Sequence, residues 1–130
     1  MCIISTLMRN CAFCNLEIER VLVESDSCVA FSDKFPVSLG HTLVIPKTHM
    51  ENYFNLSSFE KNSIWELVDQ VKVLLVNKYS PDGFNVGINI GEQAGQTVFH
   101  CHIHVIPRYK GDTEDPRGGV RGVIPLKQKY

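Results

Sequence analysis

Phe99-His100-Cys101-His102-Ile103-His104-Val105-Ile106-Pro107 decides the reading of this chain. Alternate residues of a strand share a face. His100, His102 and His104 are therefore predicted on one face, and Cys101, Ile103 and Val105 on the other, in a core. The chain has five histidines, so three of them stand in one row. Imidazole is a poor strand former and titrates near neutral pH. A row of three suits an anion, a metal or a reacting phosphorus.

Upstream, residues 84–90 read as a strand with Val86, Ile88 and Ile90 on one side and Asn85 and Asn89 on the other. Asn89 is then expected beside the histidines. The turn Gly91-Glu92-Gln93-Ala94-Gly95 is short enough for its amides to face inward and hold an anion. Gln96 and Thr97 add side-chain donors. These groups suit phosphate. No acidic cluster accompanies them, so a magnesium-dependent phosphotransfer site is not expected. Neutral imidazole attacks phosphorus without an unusual pKa, and a hydrogen bond at one ring nitrogen leaves the other free to react. On the residues alone, two plainer readings stay open: a zinc site made of the three histidines, or a polar stripe.

Further out, residues 57–80 predict the major helix. Ser57 and Glu60 have capping-box spacing, and Ile64, Leu67, Val68, Val71, Leu74 and Leu75 form one apolar stripe. Pro81-Asp82-Gly83 ends it. Val21–Glu24 and residues 28–31 read as strands joined by Ser25-Asp26-Ser27, and residues 41–46 as another, stopped by Pro46. Residues 11–19 read as a knuckle entering a short helix. Strands, one helix and more strands, with short turns, give an α+β fold with antiparallel pairing and the helix on one face.

A chain of 130 residues is expected to form one domain. Hydrophobic residues make up 44% and charged residues 21%, with a net charge of −1. That balance argues against nucleic acid and acidic membranes as partners. The opening residues lack the pattern of a signal segment, and no stretch approaches a membrane span. A cytoplasmic location is expected. Residues 108–130 carry six basic residues against three acidic ones. Residues 113–130 read as a flexible basic tail behind a domain over 1–112, with Val120, Val123, Ile124 and Leu126 able to dock. Arg108, Lys110, Arg117 and Arg121 are expected where outer phosphates would emerge.

Cys11-Ala12-Phe13-Cys14 has zinc-knuckle spacing. A redox pair is the competing reading, without the βαβ context that would favour it. Two more ligands are needed, and His49 and His100 are available. Cys2, Cys28 and Cys101 read as ordinary thiols.

The run Gly91–Pro107, with Ala30-Phe31-Ser32-Asp33, Gly40-His41-Thr42-Leu43-Val44-Ile45-Pro46 and Lys47-Thr48-His49, resembles the histidine triad superfamily in order and spacing. The resemblance covers roughly Cys11 to Asp112. It implies a five-stranded antiparallel sheet, a homodimer, a nucleotide site on the histidine face, and nucleotidyl transfer through a covalent nucleotidyl-histidine. It also implies the roles of single residues. His102 is the nucleophile. His104 contacts the α-phosphate, and His41 lies nearby and orients the catalytic residue. Asn89 and Thr97, with Gln96 beside them, hold phosphate oxygens or the leaving group, and Asp33 binds the ribose hydroxyls. Cys11, Cys14, His49 and His100 match the structural zinc site of microbial members. Val105-Ile106-Pro107-Arg108 resembles the branch that hydrolyses diadenosine polyphosphates, the fragile histidine triad side. Asn89 resembles the branch that hydrolyses nucleoside phosphoramidates. A dinucleoside polyphosphate hydrolase is the leading expectation. A phosphoramidate hydrolase and a nucleotide-binding regulatory module are the alternatives.

Overall fold

Ser57 holds an extended backbone (φ −66°, ψ 161°), and the helix α1, Ser58–Tyr79, begins directly after it. The Ser57 hydroxyl accepts the Glu60 amide hydrogen at 3.1 Å, and the Glu60 carboxylate accepts the Ser57 amide hydrogen at 3.1 Å. Such a reciprocal cap contributes about 1 kcal/mol. At the far end Ser80 turns left-handed (φ 49°), and Pro81 then blocks continuation. Ile64, Leu67, Val68, Val71 and Leu75 are buried as expected. Leu74 is not: it is 44% exposed. It lies on the flank of the stripe and lines a surface hollow with Leu22.

The structure is a computed structural model and describes residues 10–130; Cys2 and the opening segment lie outside the described residues. Five strands, β1 (Val21–Glu24), β2 (Cys28–Ser32), β3 (Thr42–Pro46), β4 (Gly83–Ile88) and β5 (Ile103–Arg108), form one sheet in the order β1-β2-β3-β5-β4. Every pairing is antiparallel. The α+β class, the five strands and the single long helix are thus as expected. The short helix anticipated near the N-terminus reduces to one 3-10 turn, Ile18–Arg20.

Both faces of the sheet's centre are covered, and that is why β2 and β3 read as continuous apolar runs. Cys28, Ala30, Val44, Ile103 and Val105 pack under α1. Val29, Phe31, Leu43 and Ile45 pack on the opposite face with Phe13 from the cysteine knuckle. Burying one such side chain contributes roughly 1.5–3 kcal/mol. β5 alternates as the sequence predicts: Ile103 and Val105 face the helix, while His104 is on the other side.

Two strand bounds differ from expectation. The ladder of β5 starts at Ile103, so His100, Cys101 and His102 precede it. The Cys101 amide there donates to the Met50 carbonyl at 2.6 Å, a loop partner instead of a strand. β4 ends at Ile88, leaving Asn89 and Ile90 at the entry to the turn. Pro107 is tolerated inside β5 because β3 pairs only with Ile103, His104 and Val105. Beyond them a missing amide hydrogen breaks no ladder bond to β3.

Gly40 is required where it stands. Its φ is +91°, and a Cβ there would meet the Tyr79 ring at 2.9 Å. The loop before β3 therefore packs closely on the end of α1 and fixes the start of β3, where His41 lies.

Candidate functional site

The face of the sheet away from α1 carries the histidines. His102 is 7% exposed. Its ring stands 5.1 Å from that of His104 and 5.0 Å from that of Phe13, edge-on at 84°. Its Nδ1 lies 2.8 Å from the carbonyl oxygen of His100. A carbonyl only accepts, so Nδ1 carries the proton and Nε2 keeps its lone pair. Burial lowers the pKa of His102 from its ordinary value, against the pull of the His100 carbonyl and Asp33 in the opposite direction. The ring is neutral at pH 7, with a nucleophilic nitrogen.

A second chain of bonds sets His104. The Val37 amide donates to His41 Nδ1 at 3.1 Å. His41 Nδ1 is then an acceptor, and the proton of the neutral ring is on Nε2. That atom is 2.9 Å from His104 Nδ1 and 3.4 Å from Asp33 Oδ2. Burial lowers the pKa of His41 more than Asp33 raises it. The Asp33 contact is therefore not an ion pair, and the hydrogen bond of His41 Nε2 goes to His104. His104 Nδ1 accepts, so its own proton is on Nε2. Burial, with His102 and His41 adding to it, pushes the His104 pKa down to about 4. One neutral imidazole thus offers a lone pair and its neighbour offers an N–H.

The other expected residues divide. Asp33 is at the site, and its Oδ1 also accepts the Phe35 amide hydrogen at 2.8 Å. Asn89 lines a cavity of about 440 Å³ together with His41, His104, Asn85 and Ile106. Thr97 is exposed after the turn. Gln96 is held by the protein itself. It is 2% exposed, its Oε1 accepts the Gly91 amide hydrogen at 2.9 Å, and its Nε2 donates to the carbonyls of Glu51 and Val98 at 3.0 and 3.2 Å. Its carboxamide is spent on holding the turn and has no donor left for phosphate. Several amides of the turn are engaged as well: those of Ala94, Gly95 and Gln96 donate to the carbonyls of Gly91, Glu92 and Gly91.

Three arginines from the end of β5 onward are also engaged. Arg108 forks onto Asp112 with two bonds of 2.8 Å and reaches Asn85 at 2.6 Å. Arg117 pairs with Asp115 at 3.1 Å. Arg121 donates to the carbonyls of Lys127 and Gln128. Val120 and Val123, on the 3-10 turn Gly119–Val123, line the same cavity as His104. What the tail brings to the site is apolar, where outward-reaching arginines were expected. Sequence reading also passed over Asn85 and Val37; the amide of Val37 carries no side-chain signal at all.

Cys11, Cys14, His49 and His100 bring one ligand atom each within 4.8 Å of one another. His100 Nε2 donates to the Pro46 carbonyl at 2.8 Å, so its Nδ1 is unprotonated. That Nδ1 is 3.5 Å from the Cys11 sulfur and 3.6 Å from that of Cys14, and His49 Nδ1 is 3.3 Å from the Cys14 sulfur. Zinc–sulfur and zinc–nitrogen bonds at tetrahedral angles put such ligands about 3.6 Å apart. The donor set fits zinc, and four protein ligands leave no open position. Asp33, His41 and His104 form a second cluster. It does not fit a metal, because His41 Nε2 must keep its proton while Nδ1 accepts from Val37. The histidine row is thus divided: His100 belongs to the cysteines, His104 lines the cavity, and His102 lies against His104.

A HIT domain matches residues 16–111. Protein hit of Bacillus subtilis is 42% identical over 108 residues, which cover 79% of this chain and 74% of that protein. Adenylylsulfatase HINT3 of Arabidopsis thaliana is 36% identical over 115 residues, 83% of this chain and 57% of its own length. The crystal structure of a zinc-bound histidine triad family protein from Mycobacterium smegmatis superimposes with a TM-score of 0.75 at 31% identity, covering 83% of this chain and 81% of that one.

Proposed function

The chain belongs to the histidine triad (HIT) family, and from that premise we propose that it hydrolyses nucleotides through a covalent nucleotidyl-His102 intermediate. The family supports a nucleotide-binding hydrolase or transferase. The observation that carries the finer reading is the His102 tautomer. Its Nδ1–H is held by the His100 carbonyl, and its Nε2 lone pair is free.

In the first step Nε2 attacks the α-phosphorus. A P–N bond forms, and the bond from phosphorus to the leaving group breaks with its electron pair; a polyphosphate departs as the anion, and an amine departs after taking up a proton from solvent. His104, with its proton on Nε2, donates a hydrogen bond to a phosphoryl oxygen whose charge grows in the transition state. In the second step water attacks phosphorus, the P–N bond breaks, and His102 recovers its lone pair. Nucleoside monophosphate leaves, and the water's proton passes to solvent or to the departed group. His41 does not touch the reacting atoms in this scheme; it keeps the His104 proton on Nε2. Asp33 is assigned to the ribose hydroxyls and Asn89 and Thr97 to the phosphate.

Dinucleoside polyphosphates are the first substrate class, on the resemblance around Val105–Arg108. One observation favours a second class, nucleoside phosphoramidates. Arg108, Arg117 and Arg121 are all paired, and the cavity beside His104 is walled by Val37, Val86, Ile88, Ile106, Val120 and Val123. Such walls suit a small uncharged leaving group better than a row of phosphates. Turnover of diadenosine tetraphosphate, adenosine phosphoramidate and adenylyl sulfate should be compared side by side. The third is included because a relative bears the name adenylylsulfatase. Binding of all three without turnover would favour a regulatory module.

Cys11, Cys14, His49 and His100 would hold a zinc ion, which with four protein ligands supplies folding energy and no reactive position. We also propose a homodimer. β4 is an edge strand, and pairing across a two-fold axis is the commonest way to cover such an edge. Light scattering at micromolar concentration should give twice the chain mass; a monomer would end that proposal.

A further inference from the structure

We infer that the cysteine knuckle is a positioning device for His102, and that Phe13 is its contact arm. This inference rests on the reading of His102 as nucleophile. Phe13 lies between Cys11 and Cys14, so both ends of its short segment are tied to the Cys11–Cys14–His49–His100 cluster. It is 7% exposed. Its ring meets Phe31 at 5.2 Å and His102 at 5.0 Å, edge-on in both cases.

Among the described residues His102 has a single hydrogen bond to orient it, from Nδ1 to the His100 carbonyl. One bond at one corner leaves the imidazole free to rock about that corner. Phe13 at 5.0 Å and His104 at 5.1 Å both crowd the ring and limit the space in which it would move. The hydrogen-bond acceptor also belongs to the cluster, since His100 presents its Nδ1 to the cysteines. A third tie runs from the Cys101 amide to the Met50 carbonyl, next to His49. Two of the contacts that orient the nucleophile, the His100 carbonyl and the Phe13 ring, are therefore carried by the same four-ligand cluster.

A side chain that only filled space would behave differently. Phe13→Leu keeps an apolar group in the Val29–Phe31–Leu43–Ile45 layer and removes the flat edge against His102. Val29→Ala weakens the same layer without removing a ring. A ring misplaced by an ångström slows the chemical step about a hundredfold at most. We expect Phe13→Leu to slow formation of the nucleotidyl-His102 adduct about tenfold or more, measured in a single turnover at saturating adenosine phosphoramidate so that affinity does not enter. Val29→Ala should leave that rate within about twofold at a matched loss of thermal stability, because it alters no contact that orients the reacting ring.

The second readout needs no substrate. The ¹⁵N–¹H correlation spectrum of the His102 ring at pH 8 should show the Nδ1–H tautomer alone in the wild type with zinc bound. In Phe13→Leu, and in wild type stripped by a chelator yet still folded by circular dichroism, the Nε2–H tautomer should appear beside it. An unchanged His102 spectrum in both preparations would overturn the inference, as would equal slowing by Phe13→Leu and Val29→Ala. If the wild type forms no adduct with any of the three nucleotides, the functional reading fails while the ring spectrum still decides the positioning claim. Should Phe13→Leu fail to fold, Phe13→Met takes its place with the same two readouts.

Discussion

The Nδ1–H of His102 points to the carbonyl oxygen of His100, 2.8 Å away. One backbone oxygen thereby selects which nitrogen of the reactive ring is free. The same residue offers its own Nδ1 to Cys11 and Cys14. A single position serves the metal cluster through its side chain and the reacting ring through its backbone.

His41 acts on the reaction through His104. His41→Phe removes both the Nε2–H donor to His104 and the acceptor for the Val37 amide. Without it His104 has no fixed tautomer. The expected result is a fall in kcat of about 10²-fold, at the low end of what a positioned proton donor contributes, with KM changed little. Steady-state kinetics on the preferred nucleotide check it; a rise in KM with kcat intact would place His41 in ground-state binding instead.

The three bonds of the Gln96 carboxamide lead to the expectation of a structural role. Gln96→Ala leaves the Gly91 amide and the Glu51 and Val98 carbonyls without their present partner. Exposing or orphaning such groups costs about 1–3 kcal/mol. Urea unfolding should show that loss. A variant with wild-type stability but weakened nucleotide binding would return Gln96 to the phosphate site.

Zinc is expected to support folding. Cys14→Ser should lower both Tm and metal content, because a four-ligand site contributes its binding energy to the folded state. Protein purified without added metal should carry close to one zinc per chain. Elemental analysis below about 0.2 per chain would indicate that the cluster does not hold the metal.

Stability should fall on mild acidification, with His104 as one cause. Its pKa is about 4 in the folded chain against 6.5 ordinarily. Between those values the unfolded chain binds the proton and the folded chain does not. The contribution of neutral His104 is complete above pH 6.5, is lost as pH falls toward 4, and is constant below. The urea midpoint measured at pH 7.5, 6 and 4.5 should fall across that window, and less steeply in His104→Gln. Equal slopes in the two proteins would show that His104 is not among the groups responsible.

Much of this was legible in the sequence because period-2 alternation and cap chemistry are local. Ser57, Glu60 and the Ile64–Leu75 stripe specify α1 through neighbours three and four residues away. The alternation from Cys101 to Val105 assigns the faces of β5. Gln96 was not legible in this way, because a carboxamide looks alike in sequence whether it meets phosphate or three backbone groups. Its partner Glu51 is 45 residues away. The partners of Arg108, Arg117 and Arg121 were not legible for the converse reason: their acceptors, Asp112, Asp115 and the Lys127 and Gln128 carbonyls, are near, but which way a guanidinium turns is decided by the folded turn. The late start of the β5 ladder at Ile103 follows from His100 being drawn to the cysteines, a contact across 86 to 89 residues.

The most direct test of the account is the chemical state of His102 during turnover. Wild-type protein mixed with adenosine phosphoramidate or diadenosine tetraphosphate, denatured at alkaline pH to preserve a P–N bond, should yield a peptide containing residues 100–104 with one adenylyl group on His102. His102→Ala should lose the adduct and at least ~10³-fold of turnover, the scale of loss when a covalent nucleophile is removed. Turnover above a tenth of wild type in His102→Ala, or an adenylyl group on a different residue, would contradict the account.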